Sequence, residues 1–185
     1  MGCVRFAMHL PTHLAISWLI GQGLSERRDR RLVAWAGVVP DLDALSLLAG
    51  ASAFSRFHHG VTHGVVAAAA VTLATAVFAR RRLRAAGLAL VAFHVHLMCD
   101  LLGSGVDWSI AYFWPFSSRE FVTPYGWPLA SWQNVLITVV ALFCIGWIGV
   151  TRGRTFTETF LPAKADQAVV AVLRRRFRFS RQDSA

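Results

Sequence analysis

Residues 85–103 read AAGLALVAFHVHLMCDLLG, an apolar run that carries two histidines and an aspartate in its second half. The run approaches the about 20 residues that a membrane-spanning helix needs. Insertion scales put the cost of an aspartate at mid-bilayer at about 2.5 to 3.5 kcal/mol, so this group needs compensation. A bound cation supplies it by turning neutral imidazoles and ionised carboxylates into satisfied ligands. His96 and Asp100 are four residues apart and share a helical face, which predicts a ligand pair inside a membrane helix.

The whole chain has the composition of a membrane protein. Hydrophobic residues make up 55% of the 185 residues, charged residues make up 16%, and the mean hydropathy is +0.48. We predict an all-α, multi-pass transmembrane bundle of about five helices over residues 1–154. Residues 155–185 are predicted to form a basic cytoplasmic tail, either amphipathic on anionic lipid or disordered. Besides residues 85–103, the predicted spans are Leu10–Leu24, Leu32–Ala53, Val61–Ala79 and Leu129–Val150.

The second predicted span contains the sequence Val39-Pro-Asp-Leu-Asp43. Pro40 lacks an N–H and disfavours helix at the residue before it, so the helix should break or restart here. Asp41 and Asp43 would point to different sides of an unbroken helix, whereas both carboxylates can turn to one point at a break. We therefore expect a broken or re-entrant segment that lines a polar cavity.

Positive charge is concentrated in the segments that follow the first, third and fifth spans. These segments hold all of the 19 Lys and Arg residues except Arg5, Arg56 and Arg119. The positive-inside rule then places the N-terminus outside and the C-terminus in the cytoplasm. The net charge of +9 does not predict nucleic-acid binding, because the cations are spread over separate loops without interleaved aromatics.

In this topology, three segments bring histidines towards the outer membrane face. One such pair is as easily explained by hydrogen-bonded core histidines, but several clusters at one depth favour a functional site. Mixed His and Asp ligands favour Zn, with Mn or Fe as alternatives, and allow one or two ions. His94 points away from His96 and is assigned to packing or to support of the ligands. The residues brought to the outer face are His13, His58, His59, His63, His96 and Asp100.

Five short blocks, in order along the chain, carry a family resemblance. This ordered set resembles the LexA-regulated, YdjM-like family of bacterial inner-membrane metal-dependent hydrolases, which is distantly similar to zinc-dependent phospholipase C. The resemblance implies a location in the bacterial inner (plasma) membrane. The blocks are Thr12-His13, Val39-Pro-Asp-Leu-Asp43, His58-His-Gly-Val-Thr-His63, His96-Leu-Met-Cys-Asp100 and Trp114-Pro-Phe-Ser117.

The resemblance also implies a set of metal ligands. The family usually reads His-Arg-Gly-x-Thr-His-Ser at the third block. This chain has His59 in place of the arginine and Gly64 in place of the serine, which makes His59 a candidate acid or additional ligand. The implied metal-site residues are His13, Asp41, Asp43, His58, His63, His96 and Asp100.

The predicted function is hydrolysis of an ester or phosphoester of a lipid or envelope molecule at the outer membrane face. Asp41 or Asp43 would accept the proton of water, and His59 would protonate the leaving group. The loop over residues 104–128 is rich in aromatics typical of a membrane interface, and in it Arg119 beside Ser117 is the predicted phosphate contact.

Two other functions use similar ligands. A metal transporter or sensor would bind the ion without chemistry, and would ideally show ligands on the cytoplasmic side too. A membrane di-iron oxidase would need several His-x-x-His-His blocks, whereas this chain has Pro-Asp-x-Asp and a His-to-Asp pair. Membrane lipids are the expected partners, and the sequence does not indicate an oligomeric state.

Overall fold

The computed structural model describes residues 10–50, 52–53, 61–106 and 108–177. Over these residues the chain is helical and forms no strand, apart from a single antiparallel bridge between Ile110 and Phe121. The predicted all-α membrane fold is confirmed. Its helices are α1 (Leu10–Ile20), α2 (Arg27–Ala36), α3 (Val65–Phe78), α4 (Arg82–Gly103), α5 (Trp132–Arg152) and α6 (Ala163–Phe177), with 3-10 segments at Gly21–Gly23, Val39–Ala49 and Phe156–Thr159.

In the part of the chain that the structure describes, fewer helices are long and apolar enough to span a membrane than the five predicted. Among the described residues, α4 and α5 are long and apolar enough to cross a bilayer alone. A third span is possible if α2 and the 3-10 segment Val39–Ala49 cross together. The remaining predicted spans correspond to shorter helices, 11 residues in α1 and 14 in α3. Apolar runs in the sequence therefore overstate helix length where the chain bends near Gly21 and His63.

The predicted break at Pro40 is confirmed. Helix α2 ends at Ala36, and the chain continues as the 3-10 segment Val39–Ala49 after a bend of 53°. Pro40 sits in the first turn of that segment, where the missing N–H costs nothing. The bend carries Asp41 and Asp43 back towards α4 instead of along the axis of α2.

Small residues allow α2 and α4 to pack closely. Ala85, Ala89 and Ala92 recur along one face of α4 and are fully buried. They form a core with Val33 and Ala36 of α2, and short side chains of this kind let helix backbones approach in a membrane. Helix α4 contacts α1, α2 and α3, so it lies in the middle of the bundle. Helix α1 also packs against α2 and α5.

Helix α5 presents an apolar face to its surroundings. Val135, Leu142, Phe143 and Trp147 are each at least 59% exposed. A patch of this kind would be a liability in water, but it is the expected lipid-facing surface of a spanning helix. Near its start, α5 is fixed by Asn134, whose side-chain amide donates to the carbonyls of Gly103 and Leu129 at 2.8 Å each.

The basic segment at residues 26–31 is mostly helical and is held by one buried ion pair and by hydrogen bonds to a buried carboxylate. Arg30 donates to both carboxylate oxygens of Glu158, at 2.7 and 2.6 Å, and Trp18 donates to the same carboxylate at 2.8 Å. Asp29 accepts the backbone N–H groups of Arg80 and Arg81, both at 2.8 Å, where α4 begins. The starts of α2 and α4 and the chain after α5 therefore meet at one end of the bundle.

The division of the chain after residue 154 stays a prediction. Residues 156–159 pack on α1 and α2 through Glu158, and α6 follows as a 15-residue helix. Asp166, near the start of α6, accepts hydrogen bonds from Thr155 and Thr157. These contacts fix the beginning of α6 relative to the bundle.

Candidate metal centre

Four residues from three parts of the chain place one donor atom each within 4.8 Å of one another. His13 comes from α1, Asp41 from the 3-10 segment, and His96 and Asp100 from α4. His13, His96 and Asp100 are at most 1% exposed, and the side chain of Asp41 is 10% exposed. The cluster is therefore almost completely buried, and Asp41 is its least buried member.

Helix α4 provides the fixed part of this cluster. His96 Nε2 lies 3.0 Å from Asp100 Oδ2, as expected for residues one helical turn apart. The other ring nitrogen, Nδ1 of His96, donates to the carbonyl of Gly37 at 2.8 Å. Histidines that bind metals are commonly oriented in this way, with one nitrogen on a protein oxygen and the other on the ion.

Asp100 is the residue on which the other parts of the cluster converge. His13 Nε2 lies 3.2 Å from Asp100 Oδ1, and His63 Nε2 lies 3.3 Å from Asp100 Oδ2. His96 completes the set, and its ring stacks on that of His13 with centroids 3.9 Å apart. Three imidazoles thus surround one buried carboxylate.

Asp43 supports His63 from the side away from Asp100. His63 precedes α3, and its Nδ1 lies 3.2 Å from Asp43 Oδ2. Thr62 donates to the carbonyl of Pro40 at 2.8 Å, which joins this part of the chain to the 3-10 segment. The Pro-Asp-x-Asp block therefore directs Asp41 to His96 and Asp43 to His63.

The spacing of the donor atoms fits a shared ion. Donor atoms that bind one tetrahedral ion at about 2.0 to 2.1 Å are separated from one another by about 3.3 to 3.4 Å. The contacts of Asp100 with His13 and His96 measure 3.2 and 3.0 Å, and His96 Nε2 lies 3.7 Å from Asp41 Oδ1. Because His13 approaches Oδ1 of Asp100 and His96 approaches Oδ2, a single ion among these atoms would be held by both oxygens of Asp100.

The directions of the donor atoms point to the same conclusion. His13 Nε2, His96 Nε2 and both oxygens of Asp100 are buried and have no hydrogen-bond partner among the described residues, despite their short separations. A salt bridge of protonated histidines would orient each N–H at an oxygen. Buried polar atoms left in this state are costly, and a cation between them removes the cost.

His58 and His59 lie outside the described residues, so their predicted roles as ligand and as acid stay predictions. His94 contacts Tyr112 Oη and the Leu90 carbonyl, both at 2.8 Å, which confirms that it points away from His96.

The predicted phosphate contacts lie on an exposed loop. Ser117 and Arg119 are both exposed, and the Ser117 hydroxyl accepts the backbone N–H of Arg119 at 3.2 Å. The Arg119 guanidinium sits over the Phe121 ring, 5.4 Å from its centroid. Their predicted role in substrate binding stays a prediction.

Gly37 is a site residue that the sequence analysis did not identify. Its carbonyl orients His96, and a Cβ at this position would lie 1.8 Å from Ser17 Oγ and 3.3 Å from the Ala92 carbonyl. The only sequence signal is a glycine three residues before the Pro40 break. Glycine is required here because α1, α2 and α4 approach one another too closely for a side chain.

Gly37→Ala is expected to lower metal affinity about 10- to 100-fold, the usual cost of disturbing a residue that orients a ligand. Isothermal titration of the purified protein with Zn²⁺ measures this. Gly87→Ala is the matched control, because a Cβ on Gly87 meets nothing within 4 Å. Adding Ser17→Gly to Gly37→Ala should restore affinity, since it removes the clashing side chain. Unchanged affinity in Gly37→Ala would contradict the role of this carbonyl.

Comparison with known proteins adds the family. A family model described as YdjM inner membrane protein matches residues 8–175. The inner membrane protein YbcI of Escherichia coli (strain K12) is 32% identical over 145 residues, which cover 71% of this chain and 77% of that protein. No solved structure gives a significant match.

Proposed function

This chain belongs to the YdjM inner membrane protein family, and we propose that it is a metal-dependent hydrolase of an ester or phosphoester. The observation that carries the proposal is the cluster of His13, Asp41, His96 and Asp100, whose donor atoms lie within 4.8 Å. The cluster has only nitrogen and oxygen donors and contains no cysteine, which is the donor set of a catalytic zinc site more than of a structural one.

The four residues of the cluster would hold one divalent ion, with His63 as a fifth candidate. Two imidazoles and two carboxylates favour Zn, with Mn or Fe as alternatives. Asp100 has His13 at Oδ1 and His63 and His96 at Oδ2, so a second ion could share this carboxylate. When bound, the metal would supply Lewis acidity that activates water and stabilises negative charge on the attacked group.

Asp41 is the group of the cluster best placed to accept a proton. Its side chain is the most exposed of the four, and its Oδ2 has no hydrogen-bond partner in the described part of the chain. Asp43 instead holds the Nδ1 side of His63 and so directs Nε2 towards Asp100. We therefore assign Asp41 as the general base and Asp43 as a positioning residue, and we retain His59 as the proposed acid.

The proposed substrate approaches from the loop between α4 and α5. This loop follows the site end of α4 and exposes Phe113, Trp114 and Phe116. Aromatic side chains of this kind commonly lie at the level of lipid headgroups. Arg119 and Ser117 are the exposed polar groups that we propose meet a phosphate or ester oxygen there.

The proposed site lies near the outer face of the membrane. Asp100 follows Arg82 by 18 positions in α4, which corresponds to about 27 Å along the helix axis and is close to the thickness of the hydrocarbon core. Arg82 belongs to the basic end of the bundle, which the positive-inside rule assigns to the cytoplasm. Asp100 would then lie close to the opposite face.

Single cysteines test this orientation after Cys3, Cys99 and Cys144 have been replaced by alanine. A membrane-impermeant thiol reagent is expected to label cysteines at positions 54 and 112 in intact cells. Positions 28 and 82 should be labelled only after the cells are lysed. Labelling of position 82 in intact cells would contradict the proposed topology.

A metal carrier or sensor is the second candidate function. The burial of His13, His96 and Asp100 favours it, because a site with little access suits an ion that is held or passed on.

A hydrolase cleaves an ester, whereas a carrier or sensor leaves it intact. The purified protein, loaded with Zn²⁺ or Mn²⁺ in detergent, should hydrolyse at least one nitrophenyl carboxylic ester, phosphomonoester or phosphodiester. Metal binding without turnover of any of these would favour the carrier or sensor.

A further inference from the structure

A groove lies on the bundle away from the metal centre. It has a volume of about 550 Å³ and runs between α5 and α6. Its walls are apolar, with Phe143, Trp147 and Val150 on α5 and Leu173 and Phe177 on α6. Among the residues that the structure describes, Arg176 is the one charged residue that lines it. This α5–α6 groove has no role in the function proposed above.

The groove is built into the packing of the two helices. Gly149 of α5 meets Leu173 of α6 so closely that a Cβ on Gly149 would lie 3.2 Å from Leu173 Cδ1. Arg174 donates through Nε to the Val150 carbonyl at 3.3 Å. Beside this contact the helices diverge, and at Gly146 a Cβ would meet nothing within 4 Å. The open space therefore lies next to a fixed contact between the two helices.

The length of the groove along α5 suits an acyl chain. Phe143 lies nine residues before Arg152, the last residue of α5, which corresponds to about 13 Å along the helix axis. Phe143 is 70% exposed and Trp147 is 63% exposed, so the apolar wall opens towards lipid. An acyl chain lying along α5 would cover both side chains.

Positive charge is concentrated beside the groove. Arg174, Arg175 and Arg176 form the last turn of α6, and Arg152 ends α5. The only acidic residue of α6 is Asp166, which is engaged by Thr155 and Thr157. Arginine binds phosphate oxygens well, and basic residues next to a spanning helix attract anionic lipid.

We propose that the α5–α6 groove binds one anionic phospholipid of the leaflet that surrounds Arg152. One acyl chain lies against Phe143 and Trp147, and the phosphate contacts Arg176. The lipid would fasten α6 to α5 at the membrane surface. This lipid site is separate from the metal centre, so its test does not depend on whether the protein is a hydrolase.

Native mass spectrometry of the full chain, released from a neutral detergent, tests the proposal. Titration with phosphatidylglycerol should give a saturable adduct of one lipid per chain, and phosphatidylcholine should bind roughly tenfold more weakly because it lacks the net charge. Gly146→Leu should abolish the adduct by filling the groove. Arg176→Gln should weaken it roughly tenfold.

Matched controls separate the groove from general lipid adhesion. Gly87→Leu places a large side chain at another glycine with free space, and Arg84→Gln removes an exposed arginine from α4. Both controls should bind phosphatidylglycerol as wild type does. Equal loss in variant and control, equal binding of the two lipids, or a lipid-free mass of two chains would overturn the proposal. Arg176→Gln decides the matter if Gly146→Leu fails to fold.

Discussion

Asp100→Ala is expected to lower metal affinity by more than about 100-fold, which exceeds the usual cost of losing a partner that only orients a ligand. Asp100 is the carboxylate that His13, His63 and His96 all approach, at 3.0 to 3.3 Å. Its removal leaves these imidazoles without the anion that helps to hold a cation among them. Elemental analysis of the detergent-purified variant measures the bound metal per chain.

His63→Ala and His96→Ala should also lose metal, whereas His94→Ala should retain it. His94 is the matched control because it lies on the same helix as His96 and contacts Tyr112 and the Leu90 carbonyl instead. Equal metal content in all four variants would mean that the histidines serve packing. The metal centre would then be abandoned, although the helical fold would stand.

Asp41→Asn is expected to lower turnover about 10²- to 10⁴-fold, the usual contribution of a positioned base. Asparagine keeps an oxygen at the position of Oδ1 but cannot accept a proton, so metal content should fall much less than turnover. The measurement pairs hydrolysis of the best ester found in the substrate screen with elemental analysis of the same sample.

The contrary outcome for Asp41→Asn is a parallel fall of metal content and turnover, which would make Asp41 a ligand only.

His59→Gln tests the proposed acid in the same assay. It should also reduce turnover more than metal content, since proton transfer and metal retention are separate functions. Full activity in His59→Gln would remove the acid role from this residue.

The ligand pair on α4 could be predicted because helical spacing alone determines it. His96 and Asp100 are four residues apart in a continuous helix, so they share a face whatever packs around them. The break at Pro40 was predictable for a similar reason, because the missing N–H acts locally. Features of the site that depend only on residues close in sequence, such as the His96–Asp100 pair and the break at Pro40, could therefore be predicted.

Other features depend on long-range packing and could not be predicted. The Gly37 carbonyl reaches His96 across 59 positions in sequence, and Asp43 reaches His63 across a bend. Glu158, which follows α5, neutralises Arg30 at the start of α2. The sequence analysis places residues 26–31 in a loop between two spans, but the structure shows Arg27–Arg31 as the first part of α2, with Arg30 buried.

Span number also depends on tertiary structure. The apolar run Val61–Ala79 has the length of a membrane helix, yet α3 begins only at Val65. His63 is drawn to Asp43 and Asp100, which holds the chain in a bend before the helix starts. The composition of this run shows that it is apolar. It does not show the contacts of His63 that shorten the helix.

X-ray absorption spectroscopy of the metal-loaded, detergent-purified protein tests the metal centre most directly. The four-residue cluster predicts a Zn²⁺ shell made only of nitrogen and oxygen at about 2.0 to 2.1 Å, with imidazole scattering. Cys99 lies next to Asp100 in sequence but outside the cluster, so no sulfur should appear. A sulfur shell at about 2.3 Å, or a protein that binds no divalent metal, would contradict the assignment of His13, Asp41, His96 and Asp100 as the metal site.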